Sequence, residues 1–278
     1  MTRLTVISLG AGVQSSTMAL MAAAGALTPM PNAAIFADTQ DEPQAVYEYL
    51  HWLMQPGTLP FPVYVVSLGQ LSAEIIAAAR GESRNDARPP FFIRNPDGTR
   101  GILRRQCTQD YKLDVIRRHT RKLLGVGPHA LIPAGTVEQW IGFSADEIMR
   151  VKPSRQAYIT NRFPLIERKV TRAGCLDWLK ENGYPTPPKS ACVFCPYRSD
   201  AEWARMQRQA PGDFARACEV DRIIRTNGYV GSVGTAYVHA SLRPLETIDF
   251  AAMEAKRVQA KQRQPDLFVN ECEGMCGL

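Results

Sequence analysis

The stretch Ser8–Thr17, SLGAGVQSST, decides the fold. It begins at the last residue of the apolar segment Leu4–Ser8. Its glycines allow the backbone to turn tightly around an anion, and its hydroxyls can donate hydrogen bonds. A helix starting near Ser15 would add unpaired N–H groups at its positive dipole end. The pattern therefore predicts a strand, a phosphate-binding loop and a helix. It fits neither GxxxxGK[ST] nor GxGxxG, so it indicates neither a Walker-type NTPase nor a dinucleotide dehydrogenase, and a plain Gly/Ser turn is the alternative.

Strand and helix patterns alternate through the first half of the chain. This alternation predicts an α/β fold, a Rossmann-like parallel sheet with helices on both faces, whose ligands bind outside the carboxyl ends of the strands. The expected strands are Leu4–Ser8, Ala33–Ala37 and Val63–Ser67, and the expected helices begin at Ser15 and span Glu42–Leu53 and Leu71–Arg80.

Acidic residues follow the second expected strand, in the segment FADTQDEP. Thr39 or Asp41, followed by an acid and Pro43, is expected to cap the next helix. Asp38 lies at the same sheet edge as the glycine-rich loop, so a ligand-binding role is expected for it in addition.

The rest of the chain is expected to continue this domain and then to leave it. The polar, arginine-rich segment Gly81–Gly101 is expected to be a mobile loop or lid. A helix over Asp110–Leu124 and a strand over Ala130–Ala134 follow, and beyond about residue 185 the alternation gives way to helices. The expected domains are therefore 1–185, a nucleotide-binding α/β domain, and 186–278, a helical cysteine-rich appendage. The helices of the appendage are expected at Asp200–Arg208, Phe214–Thr226 and Ile248–Gln262.

Composition limits the class of protein. The 278 residues are 45% hydrophobic and carry a net charge of +6, with most cations being arginine, which suits polyanionic partners, although compositional bias would give the same balance. The apolar stretch Met18–Leu27 is too short to span a bilayer and no secretion signal is recognisable. A cytoplasmic protein without a membrane partner is therefore expected.

Seven cysteines in such a chain are better explained by metal binding, catalysis or burial than by disulfides. Cys192 and Cys195 form a CxxC in SACVFCPYRSD, the spacing that zinc and iron–sulfur sites use. Cys107, Cys272 and Cys276 are the candidates for further ligands, whereas Cys175 and Cys218 are expected to be buried in helices. An all-cysteine ligand set favours an iron–sulfur cluster, with structural zinc as the alternative.

Cys107 is a candidate nucleophile as well as a ligand. Arg104 and Arg105 precede it and a helix start follows it in RRQCTQDYK, and both features favour the thiolate.

Taken together, SLGAGVQSST, FADTQDEP, CTQDYK, GFSADE, SACVFCPYRS and NECEGMCGL resemble the phosphoadenosine phosphosulfate reductase-like branch of the PP-loop (adenine nucleotide alpha-hydrolase) superfamily, and within it an iron–sulfur member. The resemblance implies a parallel sheet of about five strands. It also implies that ATP or an adenylated nucleotide binds with magnesium at the first loop and beside Asp38. The residues implied to hold the phosphates are Ser8, Gly10, Gly12, Ser15 and Ser16. Gln14, within the same loop, is implied to be nucleotide-binding.

Two departures separate the chain from members of the superfamily. Gln14 stands where ATP pyrophosphatases carry an aspartate that helps to hold magnesium, which leaves ATP cleavage open. Sulfonucleotide reductases end in a Glu-Cys pair, here Glu271 and Cys272, but the chain continues to Cys276 without their glycine and histidine.

The leading hypothesis is a PP-loop enzyme that transfers sulfur or modifies a nucleic acid or nucleoside, with tRNA or DNA and a sulfur donor as implied partners. ATP would activate a substrate oxygen as an adenylate, with pyrophosphate leaving, and sulfur would displace AMP. The first alternative is a sulfonucleotide reductase in which Cys272 attacks the sulfur and a thioredoxin-like reductant regenerates the thiol. The second is a nucleotide- or nucleic-acid-binding module with structural zinc.

Overall fold

A computed structural model describes residues 3–83, 88–229, 233–253 and 255. The chain divides into two compact units. The first contains residues 3–69 and 109–190, and the second contains 70–108 and the described residues from 191 onward. The sequence placed a boundary at 185, whereas the compact units divide at 190 and the second one also takes residues 70–108.

The strands among the described residues are β1 (Leu4–Leu9), β2 (Ala33–Asp38), β3 (Val63–Ser67), β4 (Phe92–Arg94), β5 (Arg100–Ile102), β6 (Val137–Ile141), β7 (Ile159–Arg162) and β8 (Thr235–Tyr237). The α-helices there are α1 (Val13–Ala23), α2 (Gln44–Leu53), α3 (Leu71–Ala79), α4 (Asp114–Leu123), α5 (Pro164–Glu167), α6 (Arg172–Glu181), α7 (Asp200–Gln209) and α8 (Pro211–Thr226).

The described part of the first unit is built on a five-stranded sheet of order β3-β2-β1-β6-β7, in which every pairing is parallel. The central strand β1 pairs Ser8 with Ile35 of β2 on one side and with Ile141 of β6 on the other. The α/β, Rossmann-like parallel sheet expected from the sequence is thereby confirmed.

Alternate residues of these strands face two separate hydrophobic clusters. Ile7, Phe36 and Trp140 pack with α1, α2 and α6, whereas Val6 and Ile35 pack with Ile116 of α4 on the opposite face. Helices therefore cover both faces, which explains why the strands read as near-continuous apolar runs.

One sequence expectation within this unit is wrong. Residues 130–134 form no strand, because Pro133 removes a ladder donor and Gly135 turns the backbone with φ of 69°. The strand is β6, which begins seven residues later than expected, at Val137. Helix α2 begins directly after Pro43, and capping by Thr39 or Asp41 stays a prediction.

The described part of the second unit combines α3, α7 and α8 with a three-stranded antiparallel sheet of order β5-β4-β8. The expected loop over Gly81–Gly101 therefore contains most of a β-hairpin, and the short strand β8 lies among the helices of the expected appendage. The expected helix Ile248–Gln262 is helical at residues 250–253, and most of its remainder lies outside the described residues. Among the described residues, none of the helices has both the length and the apolar character needed to cross a membrane.

A buried carboxylate connects the elements of the second unit. Asp221 of α8, which is 0% exposed, accepts hydrogen bonds from the backbone N–H of Val238 at 2.9 Å and of Leu245 at 3.0 Å. It also pairs with Nε of Arg225 at 2.8 Å. Helix α8 is thereby tied to the segment that follows β8.

We expect Asp221→Ala to lower the free energy of unfolding by about 3–5 kcal/mol, since it leaves buried donors and the Arg225 guanidinium without their acceptor. Glu219→Ala, on the exposed side of the same helix, is the matched control and should change it by less than about 0.5 kcal/mol. Urea denaturation of both variants measures the difference, and equal midpoints would contradict this role of Asp221.

Candidate functional site

The glycine-rich loop closes on itself through Ser15. The backbone N–H of Gly10 donates to Ser15 Oγ at 3.1 Å, and this hydroxyl donates to the carbonyl of Gly12 at 3.4 Å. Ala11, fully buried, takes a positive φ of 55°, and Gly12 begins α1 without a side-chain cap. The first-turn N–H groups of α1 consequently lack both intrahelical and side-chain acceptors, which is the arrangement that binds anions.

A second glycine allows β6 to approach this loop. A Cβ added at Gly142, directly after β6, would lie 2.8 Å from both Cα and N of Ser15. Real Cβ atoms do not come so close to backbone, so any larger residue would displace the turn. Gly142 therefore sets the distance between the segments that leave β1 and β6.

Gln14 links the same two segments. Its Nε2 donates to Glu147 Oε2 at 3.2 Å and lies 3.5 Å from Ser144 Oγ. The Arg150 guanidinium lies 4.3 Å from the centroid of the Phe143 ring and pairs with Glu147. Position 14 therefore holds a neutral amide that donates a hydrogen bond to the Glu147 carboxylate, and not a second carboxylate.

Asp38 ends β2 at the sheet edge where the loop lies. Its Oδ1 accepts hydrogen bonds from the backbone N–H of Gln40 at 2.7 Å and from the Tyr47 hydroxyl at 2.9 Å. Burial, reinforced by the hydrogen bond to Asp38, raises the pKa of Tyr47 well above its ordinary value. Tyr47 therefore stays protonated and fixes the carboxylate of Asp38.

A buried ion pair lies beside the loop in the same unit. Glu42, 0% exposed, pairs with Lys112 Nζ at 3.1 Å and accepts from Ser190 Oγ at 3.4 Å. Cβ of Ser190 is 3.5 Å from the position a Cβ would take on Gly12. The Ser190 hydroxyl is thereby brought to the glycine-rich turn, and Lys112 binds the same carboxylate as this hydroxyl.

In the second unit, the CxxC forms one tight turn, with the N–H of Cys195 donating to the carbonyl of Cys192 at 2.9 Å. The Arg198 guanidinium braces this turn by donating to the carbonyls of Ala191 at 2.5 Å and Cys192 at 3.2 Å. Arg198 is 8% exposed, its Nε has no hydrogen-bond partner, and no carboxylate among the described residues pairs with it. A buried cation without an anion therefore lies next to the two thiols.

The remaining cysteine candidates divide by position. Cys107 is half-buried in the second unit, and its N–H lies 3.3 Å from the carbonyl of Arg88. Cys272 and Cys276, and Glu271 with them, lie outside the described residues. Within residues 3–83, 88–229, 233–253 and 255, no three His, Cys, Asp or Glu side chains are placed together as metal ligands.

Two cysteines are inert by environment. Burial raises the pKa of Cys175 to about 12, and burial together with the carboxylates of Glu246 and Asp221 raises the pKa of Cys218 to about 12. At about pH 8 each is a thiolate in roughly one molecule in 10⁴, so neither is reactive in the folded protein.

We expect iodoacetamide at about pH 8 to modify Cys195 in folded, metal-free protein and to spare Cys175 and Cys218, because the thiolate is the nucleophile. Raising the pH by one unit should increase the slow reaction of Cys218 about tenfold, since its raised pKa lies above both values. Peptide mass spectrometry after timed quenching measures the rates, with denatured protein as the control in which all sites react. Cys218 reacting as fast as Cys195 in the folded protein would contradict this account.

The sequence located the glycine-rich loop, Asp38 and the CxxC turn, but missed several of the residues around them. Gly142, Ser144 and Glu147 lie within the GFSADE segment, and Arg198 follows the CxxC by three residues. Lys112 ends the CTQDYK segment and Ser190 begins SACVFCPYRSD, so motif proximity was a signal for all six residues.

Comparisons with known proteins give structural similarities only, since no protein-family model and no curated protein matches the sequence. The phosphoadenylyl-sulfate (PAPS) reductase from Candida auris, in a phosphate complex, is 16% identical with a TM-score of 0.43, covering 67% of this chain and 76% of its own. The U34-tRNA thiolase NcsA from Methanococcus maripaludis, with its [4Fe-4S] cluster, is 12% identical with a TM-score of 0.35, covering 98% of this chain and 84% of its own. At these values neither protein's activity is assigned to this chain.

Proposed function

We propose that this chain is an enzyme of the PP-loop type that binds ATP or an adenylated nucleotide and uses its cysteines in sulfur transfer or nucleic-acid modification. The observation that carries the proposal is the turn from Gly10 to Gly12, closed by Ser15 and opening on the uncapped start of α1. It supports phosphate binding because its N–H groups and the helix dipole both favour an anion.

The remaining parts of the first unit are assigned from their positions. Ser8, Gly10, Gly12 and Ser15 form the phosphate loop, and the carboxylate of Asp38 at the neighbouring strand end contacts the adenosine. The 0% exposure of Ser16 suits support of the loop from beneath rather than direct ligand contact. Lys112 balances the charge of buried Glu42, which in turn accepts from the Ser190 hydroxyl beside the loop. Magnesium would neutralise the phosphate oxygens, with Glu147 as the nearest carboxylate to the Gln14 position.

The cysteine turn fits a metal–thiolate centre. Because the Arg198 guanidinium is buried without a carboxylate, it favours an anion at Cys192 and Cys195, and thiolates on a metal provide one. Cys107, Cys272 and Cys276 are the proposed sources of the further ligands. An iron–sulfur cluster bound there would supply sulfur or electrons, whereas zinc would only stabilise the unit.

The Gln14 amide favours a second candidate, a sulfonucleotide reductase. A neutral amide bound to Glu147 replaces the magnesium-binding aspartate of ATP pyrophosphatases, which suits a nucleotide that is bound but not cleaved at its pyrophosphate. In that case the Cys272 thiolate attacks the sulfur of the sulfonucleotide, the S–O bond breaks and the adenosine phosphate leaves, so that the sulfonate is carried on the cysteine sulfur. A thioredoxin-like dithiol then attacks that cysteine sulfur, sulfite leaves, and closure of the dithiol to its own disulfide restores the Cys272 thiol. Sulfite release that is lost in Cys272→Ser would select this candidate over the first.

Nucleotide binding tests the proposal common to both candidates. We expect calorimetric titration with ATP and with phosphoadenosine phosphosulfate to show binding of at least one, weakened about tenfold or more by Ser15→Ala, because the loop loses its closing hydroxyl. Ser16→Ala should weaken binding as well, through the packing beneath the loop.

Two glycine variants provide the matched comparison. Gly142→Ala should weaken nucleotide binding strongly because its Cβ would collide with Ser15, whereas Gly127→Ala, where nothing lies within 4 Å, should leave it unchanged. Absence of binding to either nucleotide, or equal affinities in Ser15→Ala, Ser16→Ala and wild type, would refute the proposed nucleotide site.

Metal content tests the cysteine proposal separately. We expect protein purified without oxygen to be brown, with matched iron and acid-labile sulfide, and Cys192→Ser and Cys195→Ser to lose this colour while Cys218→Ser keeps it. Iron, sulfide and zinc assays with the visible spectrum provide the measurement. Colourless protein with stoichiometric zinc would reduce the cysteines to a structural site and overturn cluster-dependent sulfur chemistry.

A further inference from the structure

The three-stranded sheet of the second unit presents an unusual outer face. Its strand register aligns Arg100, Arg94 and Thr235 in one row across β5, β4 and β8. The next row on that face is Ile102, Phe92 and Tyr237. The alternate residues, Ile93 and Ala236, are 4% and 0% exposed, so they face the core. The two rows lie on the opposite face, where Tyr237 alone is buried, at 8% exposure.

The first row places like charges opposite each other. Arg94 and Arg100 are both exposed and directly paired across the strands, an arrangement that destabilises a hairpin in the absence of an anion. A charged residue on the edge strand β5 would be enough to prevent pairing with a strand of another molecule. Arg94 lies on the central strand β4, so this role does not explain it. The pair is therefore better explained by a ligand than by edge protection.

The surrounding segment has a surplus of arginine. Residues 88–108 contain five arginines, no lysine and one acid, Asp97. Asp97 accepts from the N–H and hydroxyl of Thr99 in the hairpin loop. Among the described residues no carboxylate pairs with Arg94, Arg100, Arg104 or Arg105. Arginine forks suit bidentate contact with phosphate oxygens, which lysine cannot make.

The second row supplies apolar and aromatic surface beside these cations. Ile102 is 51% exposed and Phe92 is half-buried, while the Tyr237 ring lies under the Arg94 guanidinium at 5.2 Å. The Arg94 guanidinium donates to the carbonyl of Leu242, so it is held in place on this face while its charge has no carboxylate partner among the described residues. A sheet face that combines a half-buried aromatic ring with arginines lacking carboxylate partners suits a stacked base and a phosphodiester backbone.

We infer that this sheet face, defined by Phe92, Arg94, Arg100 and Ile102, binds single-stranded nucleic acid. Arg94 and Arg100 bind successive phosphates, and a base stacks on Phe92. The inference rests on the proposed function and deepens it, because it identifies the substrate that is modified as a polynucleotide and not a free nucleoside. It can fail while the nucleotide site stands, because the two involve different residues and ligands.

Fluorescence anisotropy with labelled single-stranded DNA and RNA oligonucleotides, in the full-length protein, tests this inference. We expect Arg94→Ala with Arg100→Ala to weaken binding about 25-fold at about 0.1 M salt, since each phosphate contact on a single strand contributes a salt slope of about 0.7. The slope of log K against log salt should fall by about 1.4. Arg205→Ala, an exposed arginine on α7 of the same unit, is the matched control and should change neither quantity.

Two further variants separate binding from folding. Arg100→Glu should raise the melting temperature, because it turns a repulsive cross-strand pair into an attractive one, and should nevertheless lose binding. Phe92→Leu should weaken binding about fivefold or more without changing the salt slope, because it removes stacking and no charge. Arg94→Gln with Arg100→Gln replaces the alanine pair if the latter does not fold.

The outcomes are distinguishable. Weaker oligonucleotide binding in the arginine and phenylalanine variants, with unchanged ATP binding, supports the inference. Comparison of the DNA and RNA titrations identifies which of the two nucleic acids is bound. Equal weakening in Arg205→Ala would mean diffuse electrostatic attraction, and preference for a poly-glutamate peptide over an oligonucleotide would mean an acidic protein partner. Either result, or no oligonucleotide binding, would overturn it.

Discussion

Parallel pairing of β1 with β2 on one side and β6 on the other is the constraint on which the candidate nucleotide site depends. Because the three strands run in one direction, the segments that leave them meet at the same edge of the sheet. The glycine-rich turn, Asp38 and Gly142 are consequently neighbours although the chain separates them widely. The absent side chain at Gly142 then fixes their spacing, since backbone contacts backbone there.

The strands that the sequence predicted correctly are those without a charged residue in their interior. Strands β1, β2 and β3 meet this condition, since the one charge among them, Asp38, ends β2. Strand β6 contains Glu138, whose polarity concealed it. In the fold that carboxylate accepts from Nε1 of Trp140 at 2.7 Å and pairs with Arg3 and Arg162, so its burial is compensated by partners that lie far away in the sequence. The strands β4 and β5 have three residues each, too few for a periodic pattern to emerge.

The candidate site was predictable to the extent that its residues belong to local motifs. The glycine-rich turn and the CxxC are continuous in sequence, and turn geometry places their groups together. The Glu42–Lys112 pair is different because it joins residues 70 positions apart, and only the fold brings the two side chains together. Arg198 is intermediate, since it follows the second cysteine closely, but the fact that it is buried without a carboxylate depends on tertiary packing.

Net charge alone could not separate polyanion binding from compositional bias, but the pairing of the arginines can. In the first unit, Arg3, Arg117, Arg150 and Arg162 each pair with a carboxylate, so their charges are neutralised locally. On the three-stranded sheet, by contrast, Arg94 and Arg100 lie directly opposite each other, and no carboxylate among the described residues pairs with either. Repulsion between the aligned guanidiniums of Arg94 and Arg100 destabilises the hairpin when no anion is bound. An anion that bridges the two guanidiniums removes this repulsion. The geometry that destabilises the free sheet therefore stabilises its complex.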